Sequence, residues 1–170
     1  MNIYLYKTYH RGFSLIEVLI YLAVTTLVSL AGVLTYLSLN TVLVRNATER
    51  AVNHSAQVAL ERIGHEMKSA SGVNTAQSTF NTSPGELTLT YGTTTANFEV
   101  VGNTLMLTMN GVQIGKLTGD SVVVRDFTVH RFIGTTTELI RVGLTLSGNT
   151  KFASTTRTYY TSAVLRGTYE

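Results

Sequence analysis

The sequence predicts an α+β fold: one long N-terminal α-helix, its first half transmembrane, packed on a C-terminal antiparallel β-sheet domain. Three observations predict it. Val18 to Val44 is a run of 27 residues without a charged side chain. Beyond it, apolar residues recur at helical spacing as far as Ala70. After Gly72 the apolar residues instead alternate with Thr, and Asn-Gly and Pro-Gly turns separate them.

The first element is set by length. A helix rises about 1.5 Å per residue, so the uncharged run exceeds the roughly 30 Å hydrocarbon core of a bilayer. It lacks Pro, and Gly32 is its one Gly. A secretory signal peptide has an apolar stretch of roughly 7–15 residues followed by a small-residue cleavage site. Here the run is longer and continues into Arg45-Asn46-Ala47-Thr48-Glu49-Arg50. A buried core helix would need protein on every side, which 170 residues hardly supply. Lys7 and Arg11, with His10 between them, precede the run and favour a cytoplasmic N-terminus, so the C-terminal part is expected outside the cytoplasm.

The second half of the helix is amphipathic. Val52, Ala56, Ala59, Ile63, Met67 and Ala70 form one stripe, whereas Arg50, His54, Gln57, Glu61, Arg62, His65 and Lys68 fall on the other face. Glu61 and His65 stand at i,i+4, read as a solvated pair rather than a metal site. Ser69, Ser71 and Gly72 close the helix. A polar segment from Asn74 then ends in the turn Ser83-Pro84-Gly85.

Strands are expected at Leu87–Tyr91, around Phe98 and Val100, and over Leu105–Met109. Asn110-Gly111 is a strong hairpin signal, and Val112 and Ile114 resume beyond it. Further strands are expected around 122–132, 139–146 and 152–165. Thr on the alternate positions suits half-exposed strands.

Composition narrows the function. The chain is 44% hydrophobic and 14% charged, with no Cys, so disulfides and thiolate chemistry are excluded. Only Asp120 and Asp126 are Asp, and His10, His54, His65 and His130 are scattered. There is no phosphate-binding Gly-rich loop, nucleophile elbow or paired-histidine zinc motif, so neither an enzyme nor a cofactor or metal is expected.

Glu17 is out of place. It lies in Phe13-Ser14-Leu15-Ile16-Glu17-Val18-Leu19-Ile20. A carboxylate entering a bilayer is costly and marks a functional site by default. No Lys or Arg shares its face of the helix inside the membrane, and Arg11 is six residues away.

The segment Arg11-Gly12-Phe13-Ser14-Leu15-Ile16-Glu17 resembles the type IV prepilin signal. In that family a short basic leader ends in Gly, the mature chain starts with Phe, and Glu is its fifth residue. Gly12, Phe13 and Glu17 match, and Ser14 stands where Thr is commoner. The resemblance implies three segments: a leader, 1–12; a transmembrane and assembly half-helix, 13–44; and an outward-facing amphipathic helix with sheet, 45–170. It implies cleavage by a prepilin peptidase between Gly12 and Phe13, methylation of the Phe13 amine, and pairing of Glu17 with the Phe13 amine of a neighbouring subunit. The implied partners are other pilin or pseudopilin subunits and the assembly platform and ATPase of the machine. The implied place is the bacterial cytoplasmic membrane and then a filament.

The helix-plus-sheet lollipop is also similar to that family. Leu34 stands where major pilins usually have Pro, and the usual C-terminal Cys pair and an Asp-rich calcium loop are absent. Leu60 to Met67 and Thr161 to Arg166 resemble the J-type minor pilins and pseudopilins. The expected function is therefore a structural subunit, a minor pilin or pseudopilin, of a pilus, secretion pseudopilus or DNA-uptake filament. The alternative is a single-pass membrane protein with an extracytoplasmic binding or adhesive domain. Arg125, Arg131, Arg141, Arg157 and Arg166 raise contact with nucleic acid. Loss of the leader removes Lys7 and Arg11, however, leaving eleven basic against ten acidic side chains, and +1 is feeble for phosphate binding.

Overall fold

The structure is a computed structural model that describes residues 12, 14–134, 137–150 and 153–165. The elements are α1 (Leu15–Ser69), β1 (Gly72–Val73), β2 (Leu87–Tyr91), β3 (Thr94–Val101), β4 (Thr104–Met109), β5 (Val112–Lys116), β6 (Val122–Ile133), β7 (Glu138–Thr150) and β8 (Ala153–Val164). The chain divides into two compact units, 1–40 and 41–170.

In the first unit the helix is bare. Every large apolar side chain from Leu15 to Leu39 is more than half exposed. Some of its hydroxyls are met within the helix: Thr26 and Thr35 donate to the carbonyls of Leu22 and Ala31 at 2.6 and 2.8 Å. No water is needed to satisfy them, as a hydrocarbon setting requires. The helix is long and apolar enough to cross a membrane.

In the second unit the expected stripe is the core face of α1. Val52, Ala56, Ala59, Ile63, Met67 and Ala70 are all buried, packed with Leu87, Phe98, Phe127, Val129, Ile140 and Leu144 among others. Three polar residues, Thr48, Ser55 and Glu66, are buried on the same helix. The periodic pattern of apolar residues carried no sign of them.

The expected single sheet is two antiparallel sheets, one of order β1-β2-β3-β4-β5 and one of order β6-β7-β8. The break has a backbone cause. β6 pairs with β7 along its whole length. On its other edge, loop residues take the place of a strand: the Asn81 and Gly85 amides donate to the carbonyls of Val129 and Phe127 at 2.9 and 2.6 Å. Gly85 suits this approach, because a Cβ there would crowd the backbone, lying 3.0 Å from the Phe127 carbonyl oxygen. The same polar segment covers Thr88, which is buried rather than half-exposed. The Thr88 amide donates to Ser78 Oγ, and its hydroxyl bonds with the Gln77 carbonyl and Asn97.

The Asn110-Gly111 hairpin forms as expected, with φ of 50° and 78°, the left-handed pair of a type I′ turn. Gly148 of β7 lies close against the helix. A Cβ there would lie 2.6 Å from Thr48 Cγ2 and 2.8 Å from Val52 Cγ2.

Candidate functional site

Ser14 precedes the first turn of α1, and its carbonyl accepts from the amides of Glu17 and Val18 at 3.0 and 3.2 Å. Glu17 thus sits in the first turn, where the helix dipole favours a negative charge. The Ser14-x-x-Glu17 spacing is that of a capping box, in which the carboxylate turns back to the N-cap amide. The side chain does not do so. It reaches forward one turn, and the Tyr21 hydroxyl donates to Glu17 Oε1 at 3.3 Å.

The consequence shows in exposure. From Ser14 to Leu43 every residue is exposed except Glu17, which is partly covered. The charged residue of this segment is therefore its most sheltered one. Among the described residues no Lys, Arg or His lies within ion-pair distance of it. Tyr21 was not singled out in the sequence, although its i,i+4 spacing from Glu17 was the available signal. Gly12 is exposed, with open space around its Cα. Phe13 lies outside the described residues, as do Lys7, His10 and Arg11.

The second unit holds an internal ionic cluster between helix and sheet. Arg62 Nη2 lies 2.7 Å from Oε1 of the buried Glu66, and the Tyr91 hydroxyl donates to Glu66 Oε2 at 2.6 Å. Burial, followed by the bond to Glu66 and its charge, pushes the Tyr91 hydroxyl well above its ordinary value. This cluster ties α1 to β2.

The candidate arginines are dispersed in their contacts. Arg131 is paired with Glu138, Arg157 Nη2 lies 3.8 Å from Glu49, and Arg141 lies over the Tyr160 ring at 4.6 Å from its centre. Arg125 is exposed, and Arg166 lies outside the described residues. Glu61 and His65 are both exposed, and His130 Nδ1 is 2.6 Å from Asn81 Oδ1. Among the described residues no three His, Cys, Asp or Glu side chains are grouped to hold a metal.

Residues 7–33 match the family model of the prokaryotic N-terminal methylation motif. The match spans the basic flank, the Gly12-Phe13 junction, Glu17 and the first half of the apolar run. Among curated proteins and among solved structures no significant match to the chain is found. The motif implies processing by a prepilin peptidase and assembly with other pilins. With the bare apolar helix behind it, the motif supports a membrane-anchored subunit of pilin type, carrying a type IV pilin-like prepilin signal.

Proposed function

We propose that the chain is a minor pilin or pseudopilin, a structural subunit that waits in the cytoplasmic membrane and is then drawn into a helical filament. The leader 1–12 is removed by prepilin peptidase between Gly12 and Phe13, and the new Phe13 amine is methylated. Residues 13–44 form the membrane and assembly segment, and 45–170 form the domain outside the cytoplasm. The platform and ATPase of a pilus, secretion or DNA-uptake machine supply the work of extraction.

The observation that carries the reading is the position of Glu17 within the methylation motif, on a helix with no cation for it among the described residues. A buried charge without a partner destabilises the isolated subunit, whereas an amine arriving from another subunit makes the same charge favourable. Such a device sets register and recruitment rather than stability.

The test has two parts. Mass analysis of the N-terminus of membrane-extracted protein should give a methylated Phe13; a start at Met1 or beyond Leu39 overturns the reading. Glu17→Gln should leave the processing size shift intact and reduce the subunit in sheared filaments. Loss of cleavage with normal assembly of whatever is cut would overturn the pairing.

A further inference from the structure

We infer that Tyr21 is a positioning residue for Glu17: its hydroxyl holds one carboxyl oxygen in the membrane and leaves the other for the incoming amine. The inference rests on the assembly role proposed for Glu17.

The geometry has three parts. The two side chains stand one turn apart on one stripe of α1, joined at 3.3 Å from the Tyr21 hydroxyl to Oε1. The carboxylate does not turn back to the Ser14 amide, the capping alternative, but reaches forward one turn to Tyr21. Glu17 is also the one partly covered residue between Ser14 and Leu43.

The chemistry follows from the solvent. In hydrocarbon both a phenol hydroxyl and a carboxyl group need a partner, and water supplies none. A carboxylate side chain on a helix surface otherwise samples several rotamers. One bond to a ring carried by the same helix narrows that set before any second subunit arrives. The amine then meets a carboxyl group already oriented, and less conformational entropy is lost on pairing. Because only Oε1 is engaged by Tyr21, Oε2 keeps its lone pairs for the second donor.

The full-length, processed protein in phosphatidylcholine vesicles gives the first readout. The infrared carboxyl band of Glu17, isolated by difference against Glu17→Gln, should shift in Tyr21→Phe. In cells, Tyr21→Phe should be cleaved normally, and its incorporation into filaments should fall about threefold to tenfold, the range for one hydrogen bond in a membrane setting. In a Glu17→Gln background the same change should cost nothing further. An unshifted carboxyl band overturns the inference, as does an equal loss in both backgrounds, which would make Tyr21 a packing residue. If Glu17→Gln alone assembles like the wild type, the reading of Glu17 falls and the inference with it. If Tyr21→Phe assembles like the wild type while Glu17→Gln does not, only the role of Tyr21 falls.

Discussion

Replacing Gly148 with Ala tests how tightly the helix is seated on β7. The added Cβ would stand 2.6 Å from Thr48 Cγ2 and 2.8 Å from Val52 Cγ2, roughly 1 Å inside ordinary carbon contact. Neither neighbour has an easy way out. Val52 is completely buried, and a β-branched residue in a helix keeps essentially one χ1 rotamer. Thr48 is anchored by its hydroxyl, which donates to the Val44 carbonyl at 2.9 Å. The helix must therefore lift from the strand, and overpacking of this kind costs about 1–3 kcal/mol. For a unit of this size that lowers the melting temperature by roughly 3–15 °C. Calorimetry of the detergent-solubilised chain measures it. A second substitution, Val52→Ala, opens the space and should recover part of the loss in the double variant, although on its own it leaves a cavity. A Gly148→Ala protein that melts at or above the wild-type temperature would refute the close approach. So would a double variant whose losses simply add.

Three further outcomes follow from the second unit. Tyr91→Phe leaves Glu66 Oε2 without its donor and should cost about 1–3 kcal/mol in the same calorimetry. Because the folded chain holds the Tyr91 proton more tightly than the unfolded one, that contribution is complete below the ordinary value of 10.0 and is lost as pH rises above it; Tyr91→Phe should flatten this alkaline slope. Gly111→Ala forces a side chain onto a φ of 78° and should cost about 1 kcal/mol, read from the same melts, with earlier hydrogen exchange in β4 and β5 than elsewhere. Removing 1–44 should leave a soluble, folded chain by gel filtration and circular dichroism, since the buried residues run from Thr48 onward; its aggregation under native conditions would show that the apolar half contributes to the core.

The local periods in this chain were legible without a structure. The stripe from Val52 to Ala70 needed only 3.6-residue spacing, and each of its six positions is buried. The alternation from Leu87 onward and the Asn110-Gly111 turn placed the main strands within a few residues of their ends. Glu17 announced itself because a carboxylate beside an uncharged run has no local explanation. All of these are properties of single elements, set by how a backbone repeats. Tertiary structure decided the rest, because it depends on which segment reaches a free backbone group or a buried charge. The sheet splits in two because Asn81 and Gly85, not a strand, fill the open edge of β6. Thr88 and Glu66 are buried because Ser78 and Gln77 in one case, and Arg62 and Tyr91 in the other, arrive to satisfy them. Gly148 is a glycine because two helix side chains pass within contact distance of it. Glu17 turns toward Tyr21 instead of back to the helix start, a choice between two permitted bonds that spacing alone leaves open.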